Sequence, residues 1–274
     1  NGSYVVFNLV FITLLGWGVW GMSISLFLSR FAGMLCSLVY LVKVNKTLNV
    51  RLRDLVRFHL SMIKKILFIG LPFAVEQMFF NGGKLLTQTF VVHLGTLAMG
   101  ANAIVNSIVP LFQIGANACN LAVVTVVGQC IGRRNIKDAR KFIRVFIGLG
   151  SVSYIFTILL LMPFLPWIVR LFSPPAEILQ TVYFTIIMTV VASPFFWSTS
   201  FVTPSALRAA GDSRFTSIVS MSPMWLLRVV LGYVLAIVLP FGIVGVWAAM
   251  IIEWVVRSVI FLLRARGTKW YKNV

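Results

Sequence analysis

The chain has 274 residues, of which 59% are hydrophobic and 11% charged, and its 24 lysines and arginines against six acidic residues give a formal net charge of +18. A helix of about 20 apolar residues crosses a bilayer, and this chain contains such segments repeatedly. Most of the cations lie in short stretches between these segments. That distribution argues against nucleic-acid binding and predicts an all-α polytopic membrane protein.

The apolar segments predict eight membrane spans in chain order. The first is short, because the chain opens inside it with Asn1 rather than a start methionine, and it ends at Gly16-Trp17-Gly18. We therefore interpret the sequence as a fragment of a longer protein. The predicted spans are residues 4–16, 19–43, 66–92, 97–130, 142–169, 177–208, 216–239 and 244–264.

Lysine and arginine indicate the orientation of these spans. They concentrate at residues 43–65, 133–144, 208–214 and 264–272, whereas the intervening connections carry almost none. Since basic connections remain in the cytoplasm, we expect a multi-pass protein of the plasma or inner membrane with a cytoplasmic C-terminus. Within residues 44–65, an apolar stripe opposite the basic side chains predicts a helix lying on the membrane surface.

A short internal repeat occurs at a constant offset of 224 residues. Residues 15–21 (LGWGVWG) align with residues 239–245 (LPFGIVG), and each copy precedes an apolar span of similar length. Six predicted spans separate the copies, an even number, so both would face the same way. Parallel repeats of this kind occur in transporters.

Prolines interrupt several of the predicted spans. Helix-breaking residues at membrane depth are tolerated where neighbouring helices or a water-lined cavity satisfy the freed backbone groups. Their number favours a moving helical assembly over a passive anchor. The predicted hinges are Pro72, Pro110 and Pro194.

Polar side chains inside spans are costly and are candidates for function. In two neighbouring spans their spacing places them on narrow faces, within an arc of roughly 60° in the longer one. We predict that these faces line a water-filled cavity; the alternative is hydrogen bonding between helices that holds the bundle together. The candidates are Gln77, Asn81, Lys84 and Gln88 in one span and Asn102, Asn106, Gln113 and Asn117 in the next.

Glu76 is the candidate for binding a coupling ion. It lies four residues after Pro72 in an apolar run. A buried carboxylate without a compensating cation favours its neutral form, so Glu76 would be able to exchange a proton or a sodium ion as the protein moves. The alternative is a structural ion pair with Lys84 or with a cation on another helix.

Motifs of soluble enzymes are absent from the sequence. It has no paired-histidine metal helix, nucleophile elbow or phosphate-binding glycine loop, and its three cysteines fit no zinc or redox spacing. Glu253 has Arg257 one helical turn away, the spacing of a structural ion pair. We therefore predict no enzyme activity, no cofactor and no metal site apart from possible Na⁺ at Glu76.

Four stretches resemble the multidrug and toxic-compound extrusion (MATE) transporters. They are residues 70–77 (GLPFAVEQ), residues 128–134 (GQCIGRR) with the following Asp138-Ala139-Arg140, residues 206–212 (ALRAAGD) and the turn at Gly242 and Gly245. The resemblance covers essentially the whole chain.

The resemblance implies twelve helices in two six-helix lobes, acting as a monomer when full length. Residues 1–43 would be the last two spans of the first lobe, 44–65 the interlobe linker, 66–264 the second lobe and 265–274 a cytoplasmic tail. The family exports organic cations and related compounds in exchange for Na⁺ or H⁺ by rocking its lobes about a central cleft. Glu76 matches a position that binds the coupling cation in some members, whereas the further acid of those members is missing from residues 196–199.

Two other interpretations remain open. A flippase for lipid-linked saccharides resembles the same architecture, and it would line its cleft with cations, for which Lys84 and Arg228 are modest candidates. The second is a membrane receptor or structural protein without transport activity. The internal repeat disfavours it, because a receptor bundle requires no duplication.

Overall fold

The computed structural model describes residues 2–41 and 59–271, and the regular structure in these ranges is entirely helical. This agrees with the predicted all-α class. The chain divides into two compact units, Asn1–Lys65 and Ile66–Val274. The predicted surface helix falls largely outside the described residues; from Leu60 onward the chain is already part of a long helix.

The first unit contains a helical hairpin. Helix α1 (Gly2–Asn8) continues as a π-helical segment, Leu9–Leu14, and helix α2 spans Gly18–Val39 after a tight reversal. Apolar side chains cover almost the whole surface of α2, where Gly21 and Ser25 are the only buried residues.

The second unit is built from long helices joined by short connections. Helix α3 begins at Leu60 and ends at His93, so it starts six residues before the predicted span. The helices that follow are α4 (Thr96–Phe112), α5 (Ile114–Gly132), α6 (Ile136–Leu161), α7 (Leu165–Arg170), α8 (Ala176–Ala209), α9 (Ser213–Pro223) and α10 (Gly242–Arg266). Two of them continue in other helical forms: α6 through a 3₁₀ turn into α7, and α9 into π-helical segments at Met224–Leu231 and Val234–Val238.

The surface of these helices is more apolar than that of a soluble protein. Phe156, Leu159, Phe184 and Phe195 each expose more than half of their side chains, and contiguous apolar patches are limited on soluble proteins. Six helical segments in the described residues are long and apolar enough to cross a bilayer, and Gly2–Leu14 and Thr96–Phe112 are shorter apolar helices. The fold is therefore that of a multi-pass membrane protein.

The span predicted as one helix over 97–130 is interrupted at Gln113 and forms two helices, α4 and α5. Pro110 has no N–H group, so the carbonyl of Asn106 loses its partner in the helical ladder. The chain responds with a tighter turn, in which the Gln113 N–H donates to the Pro110 carbonyl at 3.1 Å. Helix α5 then starts at Ile114. By contrast, Pro194 lies within the uninterrupted helix α8.

Helix α8 forms the centre of the second unit. One hydrophobic cluster surrounds its first half and includes Phe112, Tyr154 and Trp254; a second surrounds its last turns and includes Val127 and Phe261. The polar side chains buried in α8 include Thr185 and Thr189, whose hydroxyls donate to carbonyls one turn earlier. Such bonds satisfy the hydroxyls without partners from other helices.

The predicted tail, residues 265–274, is partly helical and partly buried. Helix α10 continues to Arg266, and Lys269–Tyr271 forms a 3₁₀ turn. Trp270 is only 2% exposed and belongs to the second hydrophobic cluster, while its Nε1 donates to the carbonyl of Ala265 at 3.2 Å. A large apolar ring stabilises this turn by burial, which the basic composition of the segment does not predict.

The internal repeat extends to backbone hydrogen bonding. The Trp17 N–H donates to the Phe11 carbonyl at 3.1 Å, and at the same offset of 224 residues the Phe241 N–H donates to the Leu235 carbonyl at 3.1 Å. A π-helical segment precedes each reversal. The two reversals are therefore built alike, as the repeat in the sequence predicts.

The repeated glycines explain why these positions match. Gly18 and Gly242 have φ angles of +52° and +59°, which L side chains rarely adopt. A Cβ on Gly21 would lie 2.9 Å from the carbonyl oxygen of Phe11, and one on Gly245 would lie 2.8 Å from that of Leu235. Each glycine thus lets a helix start directly against the preceding backbone.

Gly245→Ala should lower the free energy of unfolding by about 1–3 kcal/mol, the usual cost of overpacking. The clash is with backbone atoms of Leu235, which have no rotamer to change. Thermal unfolding in detergent measures the effect. The control is Gly232→Ala, where the new Cβ would lie 3.7 Å from the Cβ of Ala249. Equal melting temperatures for the two variants would contradict this account of the reversal.

Candidate functional site

A cavity of about 780 Å³ lies within the second unit, between α3, α4, α5, α8, the π-helical segment after α9, and α10. Its wall combines carboxamides, aromatic rings and two cationic side chains, and no acidic side chain of the described residues lines it. The polar lining consists of Asn81, Lys84, Thr87, Gln88, Asn102, Asn106, Gln113, Asn117 and Arg228.

The structure brings together seven of the eight polar residues that the sequence singles out. Those on α3 face those on α4 and α5, since both stripes point into the same space. The exception is Gln77, whose side chain is exposed and lies outside the cavity wall. It is one turn nearer the start of α3 than Asn81, beyond the end of the cavity.

Hydrogen bonds link part of the two stripes directly. The Asn102 Nδ2 donates to Gln88 Oε1 at 3.0 Å, and the Asn106 Nδ2 donates to Asn102 Oδ1 at 3.0 Å. Trp247 on α10 donates from Nε1 to the same Asn102 oxygen at 3.1 Å. At Asn102 the stripe therefore also joins helices, which is the alternative role considered from the sequence. Within the described residues, the side chains of Asn81, Gln113 and Asn117 make no hydrogen bond to the other carboxamides of the two stripes.

Aromatic rings form much of the remaining wall. The rings of Trp197 and Phe201 are stacked with their centroids 4.7 Å apart. The Nζ of Lys84 lies over the ring of Phe80, 5.0 Å from its centroid. Such faces attract cations and pack against flat apolar groups. The aromatic lining residues are Phe80, Trp197, Phe201, Trp247 and Trp254.

A buried group of three charges supports one side of the cavity. Glu253 is fully buried; its Oε2 lies 2.6 Å from the Nε of Arg228, and its Oε1 lies 3.0 Å from the Nη1 of Arg257. Arg257 also donates to the carbonyl of Ser200 at 3.3 Å. The predicted pair of Glu253 and Arg257 is confirmed. The second partner, Arg228, lies on another helical segment, and local spacing gives no signal for it.

Glu76 lies outside the cavity, one helical turn before Phe80. Its side chain is 3% exposed, Arg208 donates from Nη2 to its Oε1 at 2.7 Å, and Ser217 donates from Oγ to its Oε2 at 2.7 Å. The guanidinium of Arg208 also lies over the ring of Phe73, 4.9 Å from its centroid. The carboxylate is thus held by a cation from the last turn of α8 and a hydroxyl from α9.

The candidate hinges have different surroundings. Pro110 lines the cavity at the bend between α4 and α5, and Pro194 is buried within α8. Pro72 belongs to α3, one turn before Glu76. Within the described ranges, no group of three or more histidine, cysteine, aspartate or glutamate side chains is arranged to hold a metal ion.

Comparisons with known proteins match most of this chain. Residues 72–234 match the MatE family. The chain is 27% identical over 260 residues to the uncharacterized transporter YisQ of Bacillus subtilis, covering 93% of the chain and 56% of that protein. It is 25% identical over 256 residues to the probable multidrug resistance protein NorM of Thermotoga maritima, covering 93% of the chain and 54% of that protein.

A solved structure has the same fold. It is a transporter of the MOP superfamily from Pyrococcus furiosus, and it superposes with a TM-score of 0.82 at 21% identity, covering 97% of this chain and 59% of that one. The chain thus spans little more than half the length of the relatives that it matches. Because the family match covers more than half of its residues and includes Glu76 and most of the cavity lining, the chain belongs to the MatE family of membrane transporters, which are not enzymes.

Proposed function

We propose that the complete protein containing this chain is a secondary active transporter that exports small amphiphilic molecules in exchange for a cation. The cavity of about 780 Å³ carries this proposal. Its volume falls within the range of roughly 300–1,000 Å³ that holds drug-sized ligands, and its few polar groups among aromatic rings are typical of such sites. The relative from Thermotoga maritima is named a probable multidrug resistance protein, which agrees with this function.

We further propose that the helices cross the membrane eight times. The crossings are the short first segment, α2, α3, α4 with α5, α6 with α7, α8, α9 with its π-helical segments, and α10. Residues 66–264 would then form the second lobe of a monomer, with its basic connections and C-terminus in the cytoplasm of the cell that carries it. The opposite wall of the transport cleft would come from the first lobe.

We propose Glu76 as the residue that couples cation entry to export. Arg208 and Ser217 occupy both oxygens of its carboxylate. A proton or Na⁺ would therefore have to replace Arg208 at the carboxylate, and it can do so only when α8 and α3 separate there. Coupling then requires two states that differ in the partner of Glu76, as alternating access demands.

An organic cation is the proposed substrate, because aromatic rings offer it favourable faces. The alternative is an anionic substrate, such as a lipid-linked saccharide pyrophosphate. One observation favours that alternative: Lys84 and Arg228 line the cavity, and no carboxylate from the part of the chain that the structure describes does. The structurally similar transporter from Pyrococcus furiosus is described as having a binding pocket of reverse polarity that suggests a different function.

The variant Lys84→Gln distinguishes a cationic substrate from an anionic one. If the substrate is an organic cation, removing the positive charge should raise the initial rate of ethidium extrusion by about five-fold, equivalent to about 1 kcal/mol of charge repulsion in a solvated site. The measurement uses the complete protein in cells that lack their own efflux pumps. Lys64→Gln, a similar change on an exposed turn of α3, serves as the control. Extrusion by Lys84→Gln no faster than that by Lys64→Gln would contradict a cationic substrate beside Lys84, whereas the anionic alternative predicts no ethidium extrusion by either variant.

The transport activity itself is tested in the same cells. Cells that produce the complete protein should extrude ethidium when energised and should stop when the ion gradients are dissipated. Sodium-free medium and a protonophore then distinguish the two coupling ions. Extrusion equal to that of cells carrying an empty vector, for ethidium and for a panel of other cationic dyes, would count against the proposed export of organic cations.

A further inference from the structure

A second cavity, of about 480 Å³, lies between α6 and α10 and is separate from the candidate transport cavity. We refer to it as the arginine groove. Three guanidinium groups line it together with apolar side chains, and none of its lining residues within 2–41 and 59–271 is acidic. The lining residues are Arg140, Ile143, Arg144, Ile147, Leu262, Ala265 and Arg266.

The charges in the arginine groove lack counter-ions among the residues that the structure describes. Asp138, which precedes Arg140 on the same helix, accepts a hydrogen bond of 2.7 Å from Asn135. Asp212 is held by Arg264, with distances of 2.8 and 3.1 Å. The groove therefore concentrates positive charge, and an anion would lower its energy.

Arg140 is oriented by contacts with residues that follow α10. Its Nη2 donates to the carbonyl of Gly267 at 3.1 Å, and its guanidinium lies 5.8 Å from the ring centroid of Tyr271. Its Nε is shielded from solvent and has no hydrogen-bond partner within the described ranges. A buried donor without an acceptor is costly. Arg140 is therefore held in place but still has an N–H group that an anion could accept from.

The groove becomes more apolar toward one end of both of its helices. On α6, Arg140, Ile143 and Arg144 come first, and Ile147 follows about 10 Å beyond Arg140 at 1.5 Å per residue. On α10 the order is reversed along the chain, with Leu262 preceding Arg266. Because the two helices run in opposite directions here, both present their cations at the same end and their apolar side chains at the other.

This arrangement matches an anionic phospholipid more closely than a soluble anion. Basic pockets between membrane helices bind anionic head groups, and an acyl chain requires apolar surface that continues from the phosphate toward the bilayer centre. Phe142 and Leu263, beside the groove on the same two helices, are also exposed. We propose that the arginine groove binds the head group of an anionic phospholipid, with its phosphate at the three arginines and an acyl chain along Ile143, Ile147 and Leu262.

Native mass spectrometry of the complete protein in a mild detergent tests this proposal. The protein is titrated with dioleoyl-phosphatidylglycerol, and the expected result is stronger binding than for dioleoyl-phosphatidylcholine. Arg144→Gln/Arg266→Gln should weaken phosphatidylglycerol binding by about thirty-fold, because each cation near a membrane surface is worth roughly five-fold in affinity. This variant keeps Arg140 and its bond to Gly267.

The matched control is Arg133→Gln/Lys137→Gln. It removes two exposed charges close to the start of α6 that do not line the groove. It should bind phosphatidylglycerol as the unaltered protein does. Arg266→Gln alone, at the exposed end of α10, should weaken binding about five-fold and serves if the double variant does not fold. Equal loss in both double variants, or equal binding of the two lipids, would overturn the proposal. Binding of inorganic phosphate as strong as that of the lipid would overturn it in favour of a soluble anion.

Discussion

Glu253→Gln will lower the free energy of unfolding by about 3–5 kcal/mol, the usual cost of breaking a buried ion pair from one side. The carboxylate lies within 2.6 Å of Arg228 and 3.0 Å of Arg257 and is fully buried. Glutamine keeps the size of the side chain but leaves two guanidinium groups facing each other without an anion. Thermal unfolding of the purified protein in detergent measures the loss.

Two further variants test whether the loss of stability comes from removing the buried negative charge of Glu253. Glu177→Gln makes the same change on an exposed first turn of α8 and should unfold as the unaltered protein does. Arg228→Gln should cost less than Glu253→Gln, because Glu253 then keeps Arg257 as its partner. If Arg228→Gln proved the more damaging of the two, Glu253 would not be the centre of this group.

The sequence predicts features that depend on neighbouring residues along one helix. The spacing of Asn102, Asn106 and Gln113 places them on one face, and the structure has all three at the cavity wall. The same applies to the pair of Glu253 and Arg257, which are four residues apart. The repeat at Gly18 and Gly242 is equally local, because a positive φ angle excludes most other residues.

Contacts between distant residues could not be predicted in this way. Arg208 is 132 positions from Glu76 along the chain, and the sequence contains several other cations that could have been its partner. Which helix faces which depends on the packing of α8 against its neighbours. The burial of Trp270 is similar, since a basic, polar segment gives no sign that one ring enters the hydrophobic cluster.

Replacement by glutamine should lower the free energy of unfolding much less at Glu76 than at Glu253. Glu253 holds two cations in the interior, whereas the partner of Glu76, Arg208, keeps 23% of its side chain exposed. An arginine with access to solvent tolerates the loss of its anion far better than a buried one. Glu76→Gln should consequently unfold close to the unaltered protein, with a loss of about 1 kcal/mol.

Glu76→Gln should nevertheless abolish ion-driven efflux by the complete protein, if Glu76 is the coupling residue that we propose. Glutamine can still accept the hydrogen bond of Ser217 but cannot take up a proton or form an ion pair. Without an entering charge, the drive of about 2.3 kcal/mol per charge per 100 mV is lost. Extrusion of ethidium against its gradient should fall to background in cells that contain normal amounts of the protein.

Ser217→Ala is the control that separates charge from hydrogen bonding. It removes the hydroxyl that donates to Glu76 Oε2 but leaves the carboxylate and Arg208 in place, so efflux should continue. Arg208→Gln frees the carboxylate from its competing cation, and it should therefore shift coupling toward lower concentrations of the entering ion. Undiminished extrusion by Glu76→Gln would remove Glu76 from the coupling mechanism and leave its contact with Arg208 as a structural ion pair, because an uncharged side chain at this position would then suffice for transport.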